Sequence, residues 1–566
     1  MKLRFSFATV RPVGHYAKLC NQFLQHPHVK AIYADDKGYF IEAEGEVAEL
    51  EPLADLLAST FPLSCWVTAT NTVVIEEFTG EARPLPVALT PVAYCRHCQD
   101  KQADDCSHCG TKADGFVDVH GLLETLLEFG QVSYDNRNGR RSLTLLNNLD
   151  KHTSSLMFCD PQALNSALYI DNSGVLMLSS QEKPQLRLQP RPEFTEQHQL
   201  ARPLYNCHLA DDRISLALAA MLAQQGIVAV GSDSDYRPLL ISQWIDGPAA
   251  MQGDQELKPL PVREPVQHRA IVGEFEARYD DGHAYLSRTA LSQAVDPQLA
   301  AHYALEGLQQ QQRFSDSTAV LYLSRHHQSG LIYKNANGER EWLMRLPYAD
   351  NNPADLLTKL VETSDTAERL LTRYQHQHGD WLAQLTGTNH RRVRGNLSGI
   401  MAMVAWLLEL DCSNDAELAA EQLLATALGH EQLVSPRLDY KLEIDEEGIV
   451  VNWLPVLQAC MSYRLASPDT PQGIAFGVID SFADFVGNWI EQFDKDIGLN
   501  TIVLAGDEFD NPILLQQIRL RLGRNVTLKL PQPLDLAGNN LALGALFVSA
   551  NKIGTAPSSA RIAEEA

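Results

Sequence analysis

The spacing of apolar and polar residues is most regular near the two ends of the chain. Leu3 to Val10 alternates with a period of two, which predicts a half-buried strand, and Tyr16 to Leu24 carries helical spacing. Ala31-Ile32-Tyr33, the turn Asp35-Asp36-Lys37-Gly38 and Tyr39-Phe40-Ile41-Glu42-Ala43 read as strand, turn, strand. A helix over Leu50 to Ser59 and a strand over Thr72 to Glu77 complete a β-α-β-β-α-β order. Arg83-Pro84-Leu85-Pro86 follows as a stiff linker. At the other end, Ile474 to Phe493 predicts a long amphipathic helix. A buried strand, Thr501 to Ala505, then runs into Gly506, with a helix over Pro512 to Leu522 and a strand over Val526 to Leu530. That is a β-α-β unit behind a long helix.

The middle is less regular. Residues 114 to about 200 carry no assignable pattern. Ile214 to Ala223 reads as a helix leading into a buried strand at Ile227 to Val230. From about residue 265 strands are followed by long helices. The most apolar of these spans Ile400 to Leu410, far short of the ~20 residues a bilayer requires. Met401, Met403, Trp406, Leu407 and Leu408 are its core-facing residues.

At 566 residues the chain exceeds one hydrophobic core, and three or four domains are expected. Its formal charge is −25, from 71 acidic and 46 basic side chains, a field that repels phosphate backbones and argues against nucleic acid. The one dense basic run, His390-Arg391-Arg392-Val393-Arg394, is too short to reverse it. Arg4 and Arg11 interrupt the N-terminal stretch before a signal-peptide core can form, so no membrane association and a cytoplasmic location are expected. Six cysteines (Cys20, Cys65, Cys159, Cys207, Cys412 and Cys460) are scattered singly, as in a reducing compartment.

The other four are not scattered. Cys95-Arg96-His97-Cys98 and Cys106-Ser107-His108-Cys109 form two C-x2-C turns seven residues apart, a spacing that brings four thiolates to one tetrahedral ion. Gly110 suits the second turn. The intervening Gln99 to Asp105 has almost no apolar residues to order it, so a structural zinc on Cys95, Cys98, Cys106 and Cys109 is expected to supply that energy. Four cysteines leave no open position for catalysis.

Taken in order, these pieces resemble the HypF family of [NiFe]-hydrogenase maturation carbamoyltransferases. The resemblance implies an acylphosphatase-like ferredoxin-type α+β domain at 1–82 and a zinc-binding segment at 83–113. An unassigned stretch with a partial YrdC-like α/β region covers 114–262. A two-lobed TsaD-like, actin-like ATPase domain occupies 263–555, with a flexible tail at 556–566. Val10-Arg11-Pro12-Val13-Gly14-His15-Tyr16 is similar to the family's phosphate loop, with Tyr16 in place of its arginine; Ala34 matches its water-positioning asparagine. Leu218 to Val230 resembles the opening of a YrdC-like domain. Gly231-Ser232-Asp233-Ser234-Asp235 carries two carboxylates where that domain holds an adenylate.

In the TsaD-like part, Thr501 to Asn511 resembles the strand and glycine turn that approach a nucleotide phosphate, with Asp507 replacing a glycine. The resemblance makes Gly506, Asn511 and Glu417 the nucleotide-binding candidates and ATP the nucleotide. Gly395-Asn396-Leu397-Ser398-Gly399 lacks the arginine and aspartate of the matching motif. Gln298 and His302 stand at the spacing of the iron-binding histidine pair on a helix, with Ser324 and Gly538 at the positions of two aspartates and Asn539 and Asn540 replacing glycines. No two histidines in the chain are four residues apart, and one imidazole with neutral neighbours does not hold iron. The adjacent His326 and His327 read as strand-end residues pointing to opposite faces. His376 and His378 read as a solvated helix surface, and Glu443 to Gly448 as an exposed turn.

Two readings of different class follow, and whether the chain is an enzyme stays open between them. In the preferred one it is a catalytically degenerate relative acting through protein partners, such as HypE-like or other hydrogenase maturation factors. In the other it is an active ATP-dependent carbamoyltransferase supplying the carbamoyl group for cyanide-ligand synthesis. His302, Glu417, Asp507, Asp535 and Asn539 would then be its polar groups. A zinc-stabilised adaptor unrelated to hydrogenases is a further alternative.

Overall fold

The computed structural model describes all residues except 88–91, 243–247, 253–258, 312–317, 336–337, 388–390, 411–412, 432–433, 467–470, 500, 524, 532–533 and 549–566, together with the side chains of residues 252, 290, 311 and 496. The tail at 556–566, His390 and Cys412 lie outside the described residues. The chain forms two compact units, Met1–Ala201 with Tyr205–Lys258 and Arg202–Leu204 with Pro259–Ala566. Among the described residues no helix is long and apolar enough to cross a membrane.

The first unit opens with β1 (Lys2–Thr9), α1 (Gly14–Phe23), β2 (Val29–Asp35), β3 (Gly38–Glu44), α2 (Val47–Thr60) and β4 (Val67–Val74). The sheet order is β2-β3-β1-β4. The last strand thus lies five residues before the expected Thr72 start. It is an edge strand exposed along nearly its whole length, so no alternation marks it in the sequence. After the cysteine segment come α3 (Val119–Phe129), β5 (Gln131–Asn136), β6 (Gly139–Leu145), β7 (Ser155–Phe158), the short helices α4 (Leu164–Ala167) and α5 (Asn172–Ser179), β8 (Gln185–Leu188), α6 (Pro192–His198), β9 (Tyr205–Leu209), α7 (Arg213–Gln224), β10 (Ala229–Ser234), β11 (Leu240–Ser242) and β12 (Ala249–Gln252). They build an eight-stranded sheet, β12-β11-β8-β9-β7-β10-β6-β5. Strand β10 starts later than the expected Ile227 and runs through Gly231 to Ser234, between β7 and β6, instead of turning there.

In the second unit β13 (Leu260–Pro261), β14 (Arg269–Asp280) and β15 (His283–Gln293) form a small sheet ordered β13-β15-β14. Then follow α8 (Ala300–Gln311), β16 (Thr318–Tyr322), β17 (Gly330–Lys334), β18 (Arg340–Arg345), α9 (Pro353–Thr363), α10 (Asp365–Thr386), α11 (Leu397–Leu407), α12 (Ala416–Leu428), β19 (Lys441–Asp445), β20 (Gly448–Asn452), α13 (Leu454–Ala466), α14 (Pro471–Ile497), β21 (Thr501–Ala505), α15 (Pro512–Leu522), β22 (Thr527–Lys529) and α16 (Asn539–Ala545). A seven-stranded sheet runs β19-β20-β18-β17-β16-β21-β22, with β16, β21 and β22 parallel. The expected β-α-β unit is β21-α15-β22. Every residue of α11 is buried except its second, Ser398. Its Met401, Met403 and Trp406 are core residues, as expected.

Candidate functional site

Four sulfurs meet in the cysteine segment. Cys95 Sγ lies 3.8 Å from Cys98 Sγ and 3.8 Å from Cys106 Sγ, and Cys98 Sγ lies 3.8 Å from Cys109 Sγ. Sulfurs on a tetrahedral zinc at about 2.3 Å stand about 3.8 Å from one another, so the donor set fits that ion. The Cys109 amide donates to Cys106 Sγ at 3.5 Å, and Gly110 takes φ +83, the left-handed conformation that closes the second turn. Among the described residues this is the one group of three or more His, Cys, Asp or Glu arranged to hold a metal ion.

The segment is clasped by two arginines. Arg213, fully buried at the start of α7, donates to the carbonyls of Lys101, Asp104 (2.8 Å) and Lys112 (2.5 Å) and to Asp114 (2.7 Å). Arg137 pairs with the same Asp114 at 2.8 Å and donates to the Ala93 carbonyl at 2.9 Å. Backbone carbonyls that the irregular segment cannot pair internally are thereby satisfied.

The loop that resembles a phosphate cradle is filled by its own side chains. The Val13 amide donates to the Tyr39 hydroxyl at 2.9 Å. Tyr16, 3% exposed, donates to the Pro62 carbonyl at 2.5 Å, and burial raises its pKa. Arg11 is turned onto the Trp66 ring, 4.4 Å from its centroid. Ala34 lies in β2.

In the second unit the carboxyl ends of the parallel strands β16 and β21 converge, which is where ligands bind in open α/β sheets. Gly506, φ +106, follows β21; a Cβ there would stand 2.0 Å from the Leu323 carbonyl oxygen, so only glycine permits the approach. Asp507 accepts from the Arg325 amide at 2.9 Å, and its carbonyl accepts from Arg325 Nη1 at 2.9 Å. Asp510 is ion-paired with the same guanidinium. Glu508, 2% exposed, accepts from the Ser398 amide at the start of α11 at 2.7 Å, while its Oε2 has no partner. Burial pushes its carboxyl up to about 7, against that amide and the Arg325 charge. Arg394 pairs with Asp350 at 3.1 Å and donates to the Arg325 carbonyl at 3.2 Å, and Asn396 donates to the Ser324 and Arg325 carbonyls at 3.0 Å. Two guanidinium groups therefore stand at this end of the sheet, each engaged by carboxylate.

The remaining candidates are dispersed around it. Asn511 caps α15, accepting from the amides of Ile513 and Leu514 at 3.1 Å. Glu417, in the first turn of α12, has a 64% exposed side chain and lies 3.3 Å from Arg202. Asp535 accepts from Gly538 at 2.6 Å and from Asn539 at 2.9 Å, and burial raises its pKa. His302 is buried in α8 against Trp342, with Nδ1 unpartnered; burial, with Arg340 nearby, holds its pKa down to about 4. One turn further on, Glu306 is ion-paired with Lys334 at 2.9 Å and Arg340 at 2.8 Å. Gln298 lies in the turn before α8 rather than on the helix, because Asp296 accepts from the Gln298 and Leu299 amides and starts the helix later. One imidazole, a hydroxyl and a glycine are not a donor set for iron.

Sequence reasoning missed Arg325, Arg394 and Asp510 here. Arg394 was weighed only as part of a basic run, and Arg325 meets Asp510 across 185 residues, a pairing no local spacing announces. Two histidine expectations also change. His327 is half-buried beyond β16, with Nδ1 2.9 Å from the Tyr322 hydroxyl, and His326 lies 3.6 Å from Asp507. His378 is not solvated: at a kink in α10 it bonds Glu409 at 2.5 Å and stacks on Tyr374, because that kink turns it towards α11.

Residues 356–545 match a HypF family model, described as the carbamoyltransferase, Kae1-like domain, second subdomain. Over those residues the chain is similar to HypF. Protein HydE of Wolinella succinogenes is 27% identical over 233 residues, 40% of this chain and 42% of that relative, so the match spans about two fifths of the relative's length. The fold of the chain is also that of full-length HypF in a phosphate- and nucleotide-bound form, with a TM-score of 0.56, 12% identity and coverage of 96% of this chain and 97% of the other. HypF of T. kodakarensis gives a TM-score of 0.66 at 11% identity, covering 98% and 100%. At such identities the likeness is one of fold.

Proposed function

We propose that this HypF-like chain serves [NiFe]-hydrogenase maturation in the cytoplasm as a scaffold that no longer makes or transfers carbamoyl groups and acts by binding protein partners, HypE-like factors among them. Its divisions are then 1–82, 83–113, 114–262 and 263–555, with a structural zinc on the four cysteines of the second. The supporting observation is electrostatic. At the strand ends where a nucleotide phosphate would need free donors, Asp507 and Asp510 occupy Arg325, and Glu508 occupies the Ser398 amide in the first turn of α11. A phosphate arriving there meets carboxylates already seated on the groups it would use. The neutral, internally bonded Tyr16 in the first domain argues in the same direction.

The test is an ATP-hydrolysis or pyrophosphate-exchange assay with carbamoyl phosphate, together with metal analysis. The expected outcome is no turnover and zinc as the sole metal; turnover, or iron besides zinc, overturns the proposal. The convergence of Arg325 and Arg394 favours a second reading, an active ATP-dependent carbamoyltransferase in which a partner or ligand draws Asp507 and Asp510 away. His302, Glu417, Asp535 and Asn539 would be its further polar groups, and the same assay run with co-purifying proteins present separates the two.

A further inference from the structure

Beside the cysteine cluster three imidazoles come together from separate parts of the first unit. His15 stands at the start of α1, while His97 and His108 each precede the second cysteine of one C-x2-C turn. The His97 and His108 ring centroids are 3.9 Å apart, and those of His15 and His108 are 5.9 Å apart. Imidazoles sharing one tetrahedral ion at about 2.1 Å have centroids about 5 Å apart, a value between these two. Lys18 donates to the Ser107 carbonyl at 2.5 Å and so holds the turn carrying His108 against α1.

His15 is the informative member. It is 6% exposed, and its Nδ1 lies 2.8 Å from Gln181 Oε1. Gln181 has no freedom to present its amino group instead, because that group donates to Glu182 at 3.2 Å. An oxygen facing Nδ1 makes Nδ1 the protonated nitrogen, so Nε2 carries a bare lone pair, and this Nε2 is buried without a hydrogen-bond partner. A ring fixed through one nitrogen by a carbonyl, with the other nitrogen unused, is how metal-binding histidines are oriented. We infer that His15, His97 and His108 form a second, imidazole-only site that takes a borderline divalent ion such as Zn2+ or Co2+. Their ligand atoms are not yet within 4.8 Å of one another as the four sulfurs are, and closure requires a turn of the exposed His97 side chain away from its stack on His108.

Cobalt distinguishes this site from its neighbour. The full-length chain, carrying one zinc on its cysteines, is titrated with Co2+, which does not displace zinc from thiolates at equivalence. One further equivalent is expected to bind with weak visible absorption and no intense thiolate-to-metal band. His97→Ala and His108→Ala should each weaken that equivalent at least tenfold while the chain keeps its one zinc. Gln181→Leu, which releases the tautomer of His15, should weaken it by tenfold or more. Absence of a second equivalent overturns the proposal. So does a thiolate band on it, or an affinity that neither histidine substitution changes.

Discussion

Glu508 carries a consequence for pH that belongs to one side chain. Its folded value near 7 lies above its ordinary 4.5. The stability contributed by the protonated form is therefore complete below about pH 4.5 and is lost as pH rises through 7, a change of about 3 kcal/mol at this buried position. Denaturant midpoints at pH 5 and pH 8 should differ accordingly. Glu508→Gln, which keeps an oxygen for the Ser398 amide, should flatten that dependence and raise stability at pH 8. Gly506→Ala makes a second residue-level prediction. With φ at +106 and the Leu323 carbonyl 2.0 Å from the new methyl group, urea unfolding should show a loss of at least ~2 kcal/mol. Gly506 was legible in the sequence because a glycine ends an apolar strand. Glu508 was quoted in the same motif without its role, since nothing local says that its neighbour is the amide of Ser398.

Among elements, those with long apolar periods were read correctly. The helix α14 and the succession β21-α15-β22 follow from spacing alone, because each buries one continuous face. Residues 114–200 were not legible for a physical reason: strands β7 and β8 have four residues each, and the sheet encloses charge as well as hydrocarbon. Arg141, fully buried, pairs with Asp211 at 2.5 Å beside a buried Asp212, so polar letters stand where a pattern search expects apolar ones. The cysteine segment is the converse case. Its donors were legible because ligand identity is written in the C-x2-C spacing, whereas the arginine clasp that seats it was not. Arg213→Ala should destabilise the first unit by about 3 kcal/mol, leaving the Asp114 carboxylate with Arg137 and the residue-213 amide and depriving three carbonyls of their guanidinium donor. Thermal melting together with zinc retention after dilution into chelator measures it, and faster zinc loss is the expected companion.

For the molecule as a whole, a net charge of −25 leaves electrostatics with one dominant sign. A protein partner is expected to present basic side chains, and its association rate should fall several-fold between low and physiological salt, measured by stopped flow with the co-purified protein. The clasp by Arg213 bears on how the chain responds to scarcity. Lys101, Asp104 and Lys112 belong to the cysteine segment, while the guanidinium they share opens a helix packed in the core of the sheet domain. Starving the cysteines of zinc does not simply loosen a surface loop. It takes three carbonyl partners from a buried guanidinium inside the sheet domain, so depletion should appear in limited proteolysis as cleavage across the first 258 residues together, and the amount of intact chain becomes a gauge of the metal supply around it.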